Sequence, residues 1–174
     1  MESRLFVWIY RILFICLSFL ILVINLIPVS FSNGFLTFPN LLYCLTASWI
    51  FRRPDYVTAP MILGIFLFQD ILLGLPIGLG TFLMLAIFEF FRSRIELVRY
   101  QPFLIEWGLI AVSYLIFLIL YQSLLIITFS RPALIGTLIF QFIETLLIYP
   151  VVVFFSSSFL KVKFPQFSIF DQKI

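Results

Sequence analysis

Long apolar runs, each near the ~20 residues that a helix needs to cross a hydrocarbon core, follow one another along this chain with only short charged breaks between them. That pattern limits the fold more than any motif does. Only 11% of residues are charged and 63% are hydrophobic, against ~25% charged in an ordinary soluble domain. A chain so poor in polar side chains cannot cover itself in water. A soluble enzyme, a disordered tail and a nucleic-acid-binding domain are excluded on that ground. Outer-membrane barrels alternate apolar and polar residues, whereas these runs are continuous. The expected class is therefore all-α: a polytopic membrane protein whose helices satisfy their own backbone groups.

The 174 residues accommodate six such helices with short turns, expected at about 7–29, 35–51, 56–75, 77–91, 103–127 and 132–155, and followed by a basic tail at 161–174. They read as one transmembrane domain with no room for a soluble one. The first run follows Arg4 and Arg11 and precedes Ser30-Phe31-Ser32, a weak cleavage pattern. Because everything downstream is equally apolar, it reads as an uncleaved first helix.

Charge placement sets the expected orientation. With six alternating helices and a cytoplasmic N-terminus, one side holds Arg4, Arg11, Arg52, Arg53, Arg92, Arg94, Arg99, Lys161, Lys163 and Lys173. Of the 11 Lys and Arg residues, only Arg131 falls on the other side. Cations accumulate in cytoplasmic loops, so the bundle is expected with both termini inside. Five helices would move one cationic block outward.

Composition narrows the chemistry further. There is no histidine, which removes the commonest general base and metal ligand. Cys16 and Cys44 lie in apolar runs and read as small apolar fillers. No enzyme activity, metal or cofactor is expected. The 24 Phe residues read as lipid-facing bulk. Trp8, Trp49, Tyr100 and Trp107 read as an interfacial belt.

Ionisable groups inside a membrane are costly. Glu89 is expected to pair with Arg92 at i, i+3, and Glu106 to sit at the interface near Arg99. Asp70 and Glu144 lie deeper. At 1.5 Å per residue, Asp70 is ~8 Å, Gln141 ~14 Å and Glu144 ~18 Å from the expected outer helix ends. Gln69, Asp70, Gln141 and Glu144 are expected to form one polar node, read as interhelical glue or a docking point, with a substrate or proton path as the alternative. Asp70-x3-Gly74-x3-Gly78-x-Gly80 stands out. Gly74 and Gly78 have the spacing of a helix-dimer motif, but Pro76 between them marks a tight outer hairpin over Leu75-Pro76-Ile77-Gly78. Gly78 and Gly80 are then expected to let the fourth helix approach a neighbour closely.

These features resemble the MreD family of rod shape-determining membrane proteins. Pro39-Asn40 opens the second helix, which ends in Trp49 followed by Pro54. Gly64 precedes Asp70, and Asp70-x3-Gly74-x3-Gly78 closes the third. Arg131-Pro132 opens the last, which carries Pro150 and ends in a short basic tail. The resemblance implies a non-enzymatic scaffold in the inner membrane of a bacterium, multi-pass, and acting in cell-shape determination. The implied partners are a bitopic MreC-type protein and, through it, actin-like MreB, a penicillin-binding transpeptidase and a polytopic glycosyltransferase. Membrane lipid is a further expected contact, and nucleic acid is not. The competing reading is a small-solute transport protein resembling the substrate-binding subunit of a vitamin-uptake system. It needs a pocket with convergent polar groups, and the outer halves offer few beyond Asp70, Gln69 and Gln141. An intramembrane hydrolase lacks its histidine, or the second deep Asp of a dyad.

Overall fold

The computed structural model of the chain describes residues 4–26, 39–95, 102–128 and 132–158. Among these the protein is all-helical, with six α-helices and no strand. The helices are α1 (Arg4–Asn25), α2 (Leu41–Arg52), α3 (Ala59–Leu72), α4 (Leu79–Ser93), α5 (Phe103–Ile127) and α6 (Ile135–Ser158), with a short 3-10 turn at Pro54–Tyr56. Three of them, α1, α5 and α6, are long and apolar enough to cross a membrane.

The fifth helix has the expected bounds. The others differ for local reasons. The α2 helix starts at Leu41 because the Asn40 side chain caps it, Oδ1 accepting the Tyr43 N–H at 3.1 Å. The 3-10 turn, begun by Pro54, takes up Tyr56, the first residue expected in the third helix, and α3 starts at Ala59 with Pro60 in its first turn. Left-handed glycines at 74 and 78 bound the α3–α4 connection. The α6 helix begins three residues beyond Pro132 and continues through Pro150 to Ser158. Arg131, Arg99, Tyr100 and the 161–174 tail lie outside the described residues.

Architecturally, α2 is the central post. Every residue of it after Leu41 is buried. A helix that is apolar all round must be enclosed all round, and α1, α4, α5 and α6 enclose this one. Trp49, fully buried, packs against the rings of Tyr10, Phe14 and Tyr56. Its indole N–H donates to Ser156 Oγ at 3.2 Å. The expected place of Trp49 in an interfacial belt is therefore corrected: its indole is a core group joining α2 to α6. Farther along α2, Tyr43 lies 4.8 Å from the Tyr114 ring, and its hydroxyl is 2.7 Å from Ser113 Oγ on α5. Buried hydroxyls on α2 return to their own helix, Thr46 to the Leu42 carbonyl and Ser48 to the Leu45 carbonyl. By contrast, α1, α5 and α6 present exposed apolar side chains such as Phe6, Ile12, Leu104, Ile119, Leu147 and Phe154.

Arginine contacts draw several chain segments to one end of the bundle. Arg11 donates to the Asp55 carbonyl at 3.1 Å, so the first turns of α1 meet the α2–α3 connection. Arg92, near the end of α4, donates to the Val57 carbonyl, and pairs with Glu89 at 2.6 Å as the i, i+3 spacing predicts. Arg52 reaches the start of α5 at Glu106. The opposite end holds the α3–α4 hairpin and the approach of α5 to α6, where Gln122 Nε2 donates to the Ala133 carbonyl at 2.7 Å.

Candidate functional site

Asp70 binds both ends of the α3–α4 connection. Its backbone carbonyl accepts the Leu75 N–H at 2.9 Å, and the Ile71 carbonyl accepts the Gly74 N–H at 3.3 Å. Those two bonds, with Gly74 at φ +63°, make a Schellman termination of α3. Pro76 then prevents the helix from resuming. Across the turn, α4 begins at Gly78, which has φ +86° and no side chain to serve as a cap. The Asp70 carboxylate supplies the cap from the preceding helix. Its Oδ2 accepts the Gly78 N–H at 3.1 Å, the Thr81 N–H at 3.2 Å and the Thr81 hydroxyl at 2.7 Å. Helix N-termini leave such donors without partners inside the helix, and in a buried setting each unmet donor costs ~1–3 kcal/mol.

This geometry changes the role expected for the glycines. Gly74 and Gly78 do not form a helical packing face: both stand at left-handed turn positions, and a Cβ built on either meets nothing within 4 Å. Their backbone angles, rather than their small size, are what the turn uses. Gly80 is the glycine of close approach. A Cβ there would lie 2.9 Å from Asp70 Oδ1 and 3.6 Å from Tyr121 Cε2.

A cavity of about 690 Å3 lies beyond the start of α2, walled by α3, α4, α5 and α6. Asp70, Gln69 and Gln141 line it, as do Asn40, Tyr121 and Gln122. Three members of the expected polar node therefore share one space, though every hydrogen bond of the Asp70 side chain goes to the start of α4. Glu144 does not line that space. It is half-buried on α6, and its Oε2 has no partner among the described residues. The expectation that the outer half offers few polar groups is also corrected, since Asn40, Tyr121 and Gln122 join the three named from the sequence. Asn40 is held in place twice: its side chain caps α2, and its backbone N–H donates to Thr145 Oγ1 at 3.0 Å.

A second polar centre lies toward the arginine-bearing end. Arg52 Nη1 and Glu106 Oε1 are 3.1 Å apart, with side-chain exposures of 6% and 7%, and the Tyr149 hydroxyl donates to the same carboxylate oxygen. This corrects the expected interfacial Glu106: it is a buried group joining α2, α5 and α6. The adjoining Trp107 answers a neighbouring need. Pro150 lacks the N–H that would bond the carbonyl four residues earlier, at Leu146. Trp107 Nε1 donates to that carbonyl at 3.0 Å, so the last helix passes a proline without an unmet backbone acceptor. Among the motif residues, Pro54 opens the 3-10 turn and Pro132 precedes α6.

Arg52–Glu106–Tyr149 and the Trp107 contact are not apparent from the sequence, because each depends on which helices are neighbours. Among the described residues, no group of three or more Cys, Asp or Glu side chains is placed to hold a metal ion. Chemically, the arrangement joins helices and leaves one partly polar cavity. No protein-family model, no curated protein and no solved structure matches this chain.

Proposed function

We propose that the protein is a non-enzymatic integral membrane scaffold of the bacterial cell-wall elongation machinery, an MreD-like component that acts in cell-shape determination from the inner membrane. One observation carries the non-enzymatic part: two of the buried polar centres are engaged in bonds within the chain itself, although Tyr121, Gln122 and Glu144 each keep an atom without a partner among the described residues. Asp70 caps α4, and Arg52, Glu106 and Tyr149 bond to one another. What the protein then offers to other molecules is mainly apolar helix surface, the kind of surface through which a bitopic MreC-type partner binds laterally. The link to MreB, a transpeptidase and a glycosyltransferase runs through that partner. The family reading itself rests on the short motifs around Pro39-Asn40 and Asp70.

In this reading the chain crosses the membrane six times, with both termini cytoplasmic. The arginine contacts that gather the first turns of α1, the α2–α3 connection, the end of α4 and the start of α5 support it, because clustered cations mark the cytoplasmic side. At ~18 Å, α2 is shorter than the hydrocarbon core. It is enclosed by protein rather than lipid, and irregular backbone at its ends is tolerated there.

The test is co-purification and rescue. In a rod-shaped bacterium depleted of its own component, the tagged chain is expected to co-purify with the bitopic partner and restore rod shape. Asp70→Leu is expected to insert normally but to lose most of both, because the α3–α4 hairpin loses its shared cap. Normal insertion of the unaltered chain with neither association nor rescue would overturn the scaffold reading.

The cavity favours a second reading, uptake of a small solute. Its signature is a saturable gain in thermal stability with a solute, about 2.7 kcal/mol at a hundred times Kd, lost on Gln141→Leu.

A further inference from the structure

The polar cavity adjoins an apolar groove. On the outer face of the α5–α6 pair, this groove of about 450 Å3 is lined by α5 from Leu115 to Ile126 and by Ile135, Ile139 and Phe142 of α6. Leu118, Gln122 and Leu138 line both spaces. Those three side chains are therefore the partition between a partly polar interior and a lipid-facing surface. Along α5 the groove extends over eleven residue steps, ~16 Å. That matches half of a ~30 Å hydrocarbon core, the depth of one acyl layer.

The polar side has a defined chemistry. Asn40, Gln69, Gln122 and Gln141 supply amides, which both donate and accept. Asp70 Oδ1 is turned toward Gly80 and accepts no hydrogen bond among the described residues, since the bonds of this carboxylate use Oδ2. Gln122 spends its Nε2 on Ala133, while its buried Oε1 has no partner among the described residues, and neither has the buried Tyr121 hydroxyl. Unmet buried polar atoms are uncommon and call for a partner. No Lys or Arg lines either space among the described residues. Among the described residues an anionic headgroup would meet an acid and no cation, whereas a neutral hydroxyl-bearing headgroup can donate to the amide oxygens of Gln69 and Gln141 and accept from their N–H groups.

We infer that α5 and α6 form a lateral port for an amphiphile with an uncharged, hydroxyl-bearing headgroup and an acyl chain. The headgroup occupies the cavity, the chain lies in the groove, and the molecule passes between Leu118, Gln122 and Leu138. The inference stands independently of the scaffold reading. It shares the cavity with the solute reading but differs in requiring the chain.

Three probes separate these possibilities in full-length protein held in phosphatidylcholine nanodiscs, with retention read by native mass spectrometry. Monoolein carries both parts, oleate carries the same chain with an anionic head, and glycerol carries the head alone. Monoolein is expected to bind saturably and at least tenfold more tightly than either of the others. Leu138→Trp, which blocks the partition, is expected to weaken monoolein at least tenfold, while Leu147→Trp on the exposed face of α6 leaves it unchanged. Should Leu138→Trp fail to fold, Gln122→Leu serves instead, with an expected fivefold loss for monoolein and none for oleate. Equal retention of monoolein and oleate, or no effect of these variants, would mean that chains merely adsorb to the lipid face. Glycerol binding as tightly as monoolein would mean a polar-solute cavity. Each of these results overturns the port.

Discussion

Glu106 has one cationic partner among the described residues, Arg52, and both side chains are buried. Two charges removed from water recover their desolvation cost only through close geometry and further hydrogen bonds. Here the Tyr149 hydroxyl, donating to Glu106, and the Ser48 carbonyl, accepting from Arg52, supply such bonds. Arg52→Met, which leaves the Glu106 carboxylate with Tyr149 alone, is therefore expected to cost about 3–5 kcal/mol. Adding Glu106→Leu to Arg52→Met is expected to return more than half of that, because the unpaired buried charge is gone. Chemical or thermal unfolding in detergent measures both, and a double variant no more stable than Arg52→Met would contradict the assignment. Acids inside apolar runs are easily picked out in the sequence. Their partners are not. Asp70 and Gln141 reach one cavity because α3 and α6 both border it, whereas Glu144, three residues beyond Gln141, falls outside its lining.

At the scale of elements, the turn chemistry is the most legible part. Asn40 as a cap, Pro76 as a stop and the hairpin over residues 75–78 all follow from local rules. Less legible is the use of one side chain by two elements. Asp70 ends α3 with its backbone and starts α4 with its carboxylate, so the glycine spacing that imitates a dimer motif is explained by two turn angles. The proline in α6 is a parallel case. Pro150 can be located from the sequence, but the group that satisfies the Leu146 carbonyl is Trp107 of a different helix. A double-mutant cycle tests that link. Trp107→Phe is expected to cost about 1–3 kcal/mol with Pro150 present, because it leaves a buried acceptor unmet. The same change is expected to cost clearly less beside Pro150→Ala, where residue 150 has its own N–H for that carbonyl. Equal costs in the two backgrounds would remove the link. The short length of α2 is beyond a count of apolar residues, since that count cannot distinguish a lipid-facing span from a post enclosed by its neighbours.

For the whole molecule, the central proposal is that the helices form a six-crossing bundle whose arginine-bearing end faces the cytoplasm. It rests on the division of charge, which the sequence displays, and on the contacts of Arg11, Arg52 and Arg92, which gather distant segments to one end. Three of the helices have spanning length by themselves, so α2, α3 and α4 are where the claim is most exposed. Single cysteines introduced at Leu75, Pro54 and Ile95, in a background lacking Cys16 and Cys44, place both ends of the α3–α4 hairpin directly. In intact spheroplasts, an impermeant thiol reagent is expected to label Leu75→Cys, and to label Pro54→Cys and Ile95→Cys only after the membrane is opened. Labelling of Ile95→Cys from outside, or protection of Leu75→Cys, would contradict the bundle as described.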